Sequence, residues 1–417
     1  MSSTVKAGRC LRWRWRALSA ALVALAPLSA RADRWLMEDS VNARFESNDN
    51  FALVPVSPGT VNTLYVSGAL DVSRQLENAV TRLKTDATAV RQQGAAAQNR
   101  MDGQLALTQS LSDPLNTFNL ALQYAQDFNN LVTNADVTQG QGRRRTTTLS
   151  AAWSRALSER LSASAQFSAD RTSYGVQLAG AVGYRDVAVS GALSYGLSEV
   201  STLGLQASHS DYRAADDLNR SKTDSVNLSL SRPLSDRASG SIGLGVYRTA
   251  STAQALRLAC PLAVSFCDAG LVPFVVVEQR NDTSRRGLQF NGSYRWQLDE
   301  TTDTSFSVAR QQAPSGAGTL VRSDTLSLGV NRSLSPTLTG SMNYVRSRSV
   351  FPDSTNAPSP GRSLFAVLLT KQLAPDLSVQ ASYQHNRLDA SAFANGARSN
   401  SLSVSLNYRG PGFDASR

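Results

Sequence analysis

The sequence predicts an all-β protein: a transmembrane, antiparallel up-and-down β-barrel of about eighteen strands, within a range of 16 to 20. Three observations carry this. Apolar residues alternate with small or polar ones over stretches of ten or more residues. A hairpin unit with a turn leucine recurs along the chain. The connections between strands alternate between short and long.

The hairpin of 325–344 shows the unit most clearly. Leu326, Leu328 and Val330 alternate with Ser327, Gly329 and Asn331, and Leu338, Met342 and Tyr344 alternate with Thr339, Ser341 and Asn343. A period of two sends successive side chains to opposite faces, so each arm is apolar on one face and polar on the other. Leu334-Ser335-Pro336 between the arms is turn chemistry: proline fixes φ, and serine bonds its own backbone. The turn leucine recurs at Leu76, Leu111, Leu157, Leu197, Leu234, Leu298, Leu334 and Leu373. Two residues before these lie Arg74, Gln109, Arg155, Tyr195, Arg232, Trp296, Arg332 and Lys371. All but Gln109 are types whose amphipathic side chains anchor at a membrane–water boundary, so they are expected on the apolar face at the turn-side rim.

Strands are expected near 34–45, 61–74, 78–90, 101–111, 116–127, 144–156, 160–170, 185–197, 200–210, 221–232, 236–248, 284–297, 302–312, 321–333, 337–348, 361–373, 376–387 and 398–408. The stretch 174–184 reads as a further strand or as part of a loop. Short turns carry the leucine motif and long connections are rich in Asn, Asp, Gly, Pro and Arg. That asymmetry puts the turns and both termini on the periplasmic side and the loops outside. Tyr344 and Tyr383 follow their turn leucines by ten residues and Tyr247 by thirteen. A tilted strand crosses the apolar core in roughly 9–11 residues, so all three are expected in an outer aromatic girdle. The last strand alternates Leu402, Val404, Leu406 and Tyr408 outward, and its closing aromatic, Tyr408, is a further interface residue. Residues 409–417 extend past it as a short periplasmic tail. Inward faces in the clearest strands are Ser, Thr and Asn, for example Ser225, Asn227, Ser229 and Ser231, which describes a polar lumen nearly uncharged at mid-height.

The first 32 residues read as a secretory signal peptide: a basic start (Lys6, Arg9, Arg12, Arg14, Arg16), an apolar run over 17–28, and Ala30-Arg31-Ala32 as cleavage site. The barrel is then 33–408, exported to a bacterial outer membrane. The formal net charge of +10 misleads, because six of the 42 basic residues lie in 1–32; the remainder is 36 basic against 32 acidic. No stripe of basic and aromatic residues marks a nucleic-acid face.

The longest connection, about 249–283, holds Cys260 and Cys267 and the apolar run 271–277. In an oxidising compartment the cysteines are disulfide candidates. The loop has two readings: a stapled element that folds inward and narrows the lumen, or a surface loop with an extra hairpin. Arg143-Arg144-Arg145 is a basic loop cluster suited to acidic glycans or lipopolysaccharide phosphates, or a solvated flank.

His209 and His385 are the two histidines, and neither has a second His or Cys at metal-ligand spacing. Each lies among serines, so a Ser–His hydrolase is weighed and set below a non-enzymatic barrel. No phosphate-binding glycine loop or paired-carboxylate signature stands out. No plug-sized domain precedes the first strand, which speaks against a TonB-dependent transporter. A soluble propeller fits the lipid-type outer faces and rim residues poorly.

The repeated Arg-x-Leu-Ser turns (231–236, 331–336) and the early segment Phe45-Glu-Ser-Asn-Asp-Asn-Phe51 are similar to the outer-membrane β-barrel porins of exopolysaccharide and exosortase (PEP-CTERM) loci of Gram-negative bacteria. The resemblance spans the expected barrel and implies a role in passage of an extracellular polysaccharide. It transfers no binding residue. The expectation is therefore a porin-like channel without cofactor or metal. Its partners would be outer-membrane lipids and lipopolysaccharide, the barrel-assembly machinery and a polysaccharide or other polar solute. The alternatives are a structural or envelope-assembly barrel whose loops close the lumen, and an outer-membrane hydrolase.

Overall fold

A computed structural model describes residues 33–94, 97–129, 142–175, 181–259, 275–315, 319–350, 361–389 and 396–416. Eighteen strands form one closed antiparallel barrel. In chain order they are β1 (Arg34–Asn48), β2 (Val61–Leu76), β3 (Ala79–Gly94), β4 (Arg100–Ser112), β5 (Asn116–Asn129), β6 (Gly142–Ala156), β7 (Leu161–Tyr174), β8 (Tyr184–Gly196) and β9 (Thr202–Ala214). The second half is β10 (Asn219–Ser235), β11 (Ala238–Ala259), β12 (Val275–Asp299), β13 (Thr302–Pro314), β14 (Leu320–Ser335), β15 (Leu338–Val350), β16 (Gly361–Ala374), β17 (Leu377–Leu388) and β18 (Ala397–Arg409). Each strand pairs with its sequence neighbours, and β1 closes the ring on β18 from Asn48↔Ser401 to Ser40↔Arg409. Ring closure leaves neither end strand of the sheet unpaired.

Register and size are linked. A row of paired residues followed once round the ring returns to β1 about 22 residues further along. With strands ~4.8 Å apart and ~3.3 Å per residue, that stagger sets a tilt of about 40° and a backbone radius of about 18 Å. Side chains cannot fill such an interior.

Paired residues share a face, so the registers assign inside and outside all the way round. Leu193, Leu205, Leu228 and Leu244 form one outward row across β8 to β11, each 47–62% exposed. Leu402, Val404, Leu406 and Tyr408 face out on β18, while Ser399, Ser401, Ser403 and Ser405 between them are buried on the inside. A belt of large apolar side chains round the outside is unsuited to water and suited to hydrocarbon. Among the described residues no helix is long and apolar enough to cross a membrane.

The eight short turns fall where the leucine motif placed them, at 77–78, 113–115, 157–160, 197–201, 236–237, 300–301, 336–337 and 375–376. In the second of these Asp113 Oδ1 accepts the backbone N–H groups of Leu115 and Asn116 at 2.8 and 2.7 Å, which holds its carboxyl below the usual aspartate range. The sign follows: this turn's contribution is present above the ordinary aspartate pKa and is lost as pH falls below it.

Two expected boundaries change. The connection expected over 249–283 is largely strand: β11 and β12 pair as far as Ala259↔Val275, well past their neighbours. Neither stretch carries a clean period of two, least of all Val275 to Thr283, and the ladder continues because each strand supplies the other's hydrogen bonds. The expected tail also joins the wall. Gly410–Gly412 makes a bulge, with Gly412 at φ +65°, and β19 (Phe413–Ser416) then pairs with Arg34–Met37 of β1. Arg34 clamps it through Asp414, Nη2 to Oδ2 at 2.6 Å. Residues 1–32, with the expected signal peptide, and Cys260 and Cys267 lie outside the described residues, as do 176–180 of the stretch 174–184, whose ends belong to β7 and β8.

Leu228→Arg, placed on the apolar belt, should cost about 2–4 kcal/mol of folding free energy in lipid vesicles, while Ser229→Arg on the lumen side should cost far less. Denaturant unfolding of the vesicle-embedded chain measures both.

Candidate pore and its constriction

The inner wall has two halves of different chemistry. On β9 to β18 it is mostly hydroxyls and amides, and facing hydroxyls across neighbouring strands bond each other: Ser208 with Ser225 at 2.7 Å, Thr223 with Thr249 at 3.0 Å, Ser241 with Ser293 at 2.8 Å, Ser382 with Ser403 at 2.8 Å. The expectation of a small, polar lining holds there. On β1 to β8 it does not, because the lumen face is charged. Asp71 bonds Arg82 with Nε at 2.7 and 2.9 Å, Asp127 bonds Arg144 at 3.0 and 2.7 Å, and Asp102 bonds Arg100 at 2.9 Å. Lys84 stands directly opposite Asp71, and the Arg44 guanidinium lies 4.0 Å from the centre of the Tyr65 ring. The signal was legible in Arg82-Leu83-Lys84-Thr85-Asp86-Ala87, where charges occupy the phase opposite Leu83 and Ala87. Facing charges of opposite sign satisfy each other along the wall, which makes charge tolerable at mid-height.

Acidic groups also face one another without a basic partner between them. Asp170 and Asp186 are directly paired on β7 and β8, and Thr148 Oγ1 donates to Asp170 at 2.5 Å.

Among the described residues the segment that packs into the lumen is the end of the β13–β14 hairpin; the connection weighed for that role, 249–283, has its middle, 260–274, outside the described residues. β12 and β13 stop pairing at Phe290↔Arg310, yet β13 and β14 pair on to Pro314↔Leu320. Released from β12, the ends of β13 and β14 fold inward and rest on the neighbouring inner wall of β9 to β11. Thr249 Oγ1 donates to Gln312 Oε1 at 2.8 Å, and the Tyr212 hydroxyl donates to the Ser315 carbonyl at 3.2 Å. Tyr212, fully buried, packs with Ala214 and Leu320, with Val182 and Tyr184 against them. This cluster ties the tip to β8 and β9. The connection between β1 and β2 also packs inward at the loop-side rim, where Leu53 meets Leu388 and Ala397. Asn50 holds that loop, its Nδ2 donating to the carbonyls of Val54 at 2.7 Å and Arg398 at 2.9 Å.

The expected rim residues fall as follows. Arg74, Arg155, Tyr195, Arg232, Trp296, Arg332 and Lys371 all share the outward face beside the short turns. Arg74 bonds Asp33 and lies 5.6 Å from the Trp35 ring centre. Tyr344, Tyr383 and Tyr408 also face outward. Tyr247 does not: it pairs with Ser225 and Gly287 on the lumen face and is buried. Gly287 makes this arrangement feasible, since a Cβ there would collide with the Tyr247 ring. Spacing from the turn leucine, thirteen residues for Tyr247 against ten for the other two, carried the phase difference.

The basic cluster divides across the wall of β6: Arg144 points inward to Asp127, and Arg143 and Arg145 pair with Phe128 and Gln126 on the other face. Both histidines face outward. His209 Nδ1 meets Asp224 at 2.7 Å and His385 Nδ1 meets Asn400 at 2.8 Å. Their same-face neighbours are Val189, Ala207 and Asp211, and Phe365, Tyr383 and Arg387, with no serine among them. The serines beside them in sequence point to the lumen, so neither ring is set to activate a hydroxyl. Among the described residues no group of three His, Cys, Asp or Glu is gathered for a metal.

No protein-family model matches the chain, and no curated protein matches it in sequence. Solved structures that align with it include Acinetobacter baumannii OccAB3, at TM-score 0.47 and 9% identity over 91% of this chain and 99% of that one. Pseudomonas aeruginosa OccK5 (OpdH) aligns at 0.46 and 12% over 90% and 98%. Pseudomonas aeruginosa OccK2 (OpdF) in complex with glucuronate aligns at 0.46 and 13% over 89% and 98%. At this level of similarity they carry no statement about this chain's own solute or activity.

Tyr212→Phe removes one hydroxyl-to-carbonyl bond from the tip and should weaken its docking by about 1 kcal/mol. Faster amide hydrogen exchange at 319–323, with unchanged exchange in β1 to β6, is the expected readout.

Proposed function

We propose that this chain is an outer-membrane channel, a non-enzymatic porin-like barrel through which small polar solutes pass. The observation that carries the reading is a closed eighteen-strand ring, apolar outside and hydrophilic within, too wide for its own side chains to fill. In this reading Arg74, Arg155, Tyr195, Arg232, Trp296, Arg332 and Lys371 anchor the turn-side rim in lipid headgroups, and Tyr344 and Tyr383 anchor the outer one. The 1–32 segment directs export, the barrel-assembly machinery inserts the chain, and Cys260 and Cys267 form a disulfide. The β13–β14 tip sets the conductance. Passage of exopolysaccharide is the finer reading, and it rests on the sequence resemblance alone.

A second reading is favoured by the inward-packed tip and the β1–β2 loop: a structural barrel whose lumen stays closed. One experiment separates them. Refolded chain, confirmed as a barrel by heat-modifiable migration, is placed in a planar bilayer. Discrete conductance steps that grow when 312–322 is replaced by a short turn are the expected result. Silence from both folded proteins would favour the structural barrel.

A further inference from the structure

Beneath the inward tip, on the hydroxyl- and amide-lined half of the lumen, lies a cavity of about 410 Å³ that the channel reading does not itself require. Its floor is one row of paired residues across four strands: Gln206 on β9, Asn227 on β10, Gly245 on β11 and Gln289 on β12. The row below repeats the pattern, with Gly243 between Ser229 and Asn291. The two glycines lack side chains on the lumen face, and the amides lean into the space so created. A Cβ on Gly243 would meet the Asn291 amide and, at 3.2 Å, Asn227 Nδ2; a Cβ on Gly245 would meet Gln289 Nε2 at 2.9 Å. Above the floor stands the buried ring of Tyr247, laid over Gly287. Gln312 of the tip, held by Thr249, roofs the cavity.

Two acceptors in this lining are enclosed and make no hydrogen bond: Asn227 Oδ1 and Asp186 Oδ1. Enclosed polar atoms without partners are uncommon, because each forfeits solvation with nothing in return. They mark the two ends of the cavity: Asn227 lies in the floor row, and Asp186 stands level with Ser221, six residues further up, ~20 Å along the strands. At the floor Asn227 Oδ1 asks for a donor, while the amide N–H₂ groups of the same row offer hydrogen bonds to an acceptor. A ligand hydroxyl is both at once. Adjacent hydroxyls on a short carbon chain or ring match acceptors and donors that alternate across strands ~4.8 Å apart, and the Tyr247 ring offers a C–H-bearing face a flat surface. The lining holds one carboxylate, Asp186 at its upper end, and one guanidinium, Arg310, already paired with Asp324, so it carries no net charge to favour an anion or a cation.

We infer that this cavity is a binding subsite for an uncharged polyhydroxylated solute of sugar-alcohol or monosaccharide size, inside the lumen and under the β13–β14 tip. It deepens the channel reading by naming the solute class, and it also stands as a site in a barrel that does not conduct.

Binding and conduction are therefore measured separately. Sorbitol, gluconate and meglumine, an uncharged polyol with an anionic and a cationic relative, are titrated into the refolded full chain and followed by saturation-transfer NMR. Saturable sorbitol binding is expected, with gluconate at least tenfold weaker and meglumine no tighter than sorbitol. Asn227→Ala with Gln289→Ala should weaken sorbitol at least tenfold, and Ser382→Ala, elsewhere in the lumen, should not. Heat-modifiable migration verifies that every variant is folded. No sorbitol binding by the folded chain, equal binding by the double variant, or a preference for gluconate or meglumine would each overturn the inference. In the planar bilayer, sorbitol should shorten open dwell times of the unsubstituted chain. Binding without conductance would retain the subsite and remove the channel; conductance without binding would do the reverse.

Discussion

Closure of the backbone hydrogen-bonded ring is the constraint on which everything else depends. In hydrocarbon an unpaired N–H or C=O costs several kcal/mol, and water is not there to offset it. An open sheet leaves both end strands unpaired; here β1 takes β18 along nine residue pairs and then takes β19 below the bulge, and β12 runs without β13 beside it only beyond Phe290, toward the loops. The C-terminal residues matter for this reason. Without Phe413–Ser416 the lowest turn of β1 would carry an unpaired edge at the headgroup boundary, and the Arg34–Asp414 ion pair secures the segment that covers it.

Once the ring is closed, strand number and stagger leave a wide interior, and the lining decides what that interior can do. The lining divides along the chain. The first eight strands carry facing charges, paired across strands as in Asp71–Arg82 and Asp127–Arg144. Partly exposed pairs of this kind contribute little to stability; their effect is on the field a passing solute meets. The remaining ten strands offer hydroxyls that mostly bond each other and amides that do not. The inward tip rests mainly on this second half, so the lumen beside it is bounded on one side by charge and on the other by neutral donors and acceptors. Tyr212 and Tyr247, both lumen-facing, supply the apolar surface there. Their burial explains why a polar-lined barrel contains two enclosed aromatic rings.

What the sequence determined by itself was the local and periodic part. Alternation set strand identity and face, as Leu402 to Tyr408 against Ser401 to Ser405 show, because a period of two is a property of the extended chain alone. The leucine turns set the hairpins, because turn chemistry is local. These two sufficed for the barrel class, the count near eighteen and the outward position of the seven turn-side rim residues. The tertiary structure decided whatever depends on which strand lies beside which. β11 and β12 run to Ala259 and Val275 because each supplies the other's hydrogen bonds. Tyr247 faces inward by its phase, as its spacing from Leu234 already showed, but its ring lies buried there only because Gly287 stands across from it, forty residues away in sequence. The tip of β13 and β14 bends into the lumen because β12 leaves β13 at Arg310, and the amide row Gln206, Asn227, Gln289 exists only through three successive registers. Register is set by the sum of pairings round a closed ring, and no single strand carries that sum.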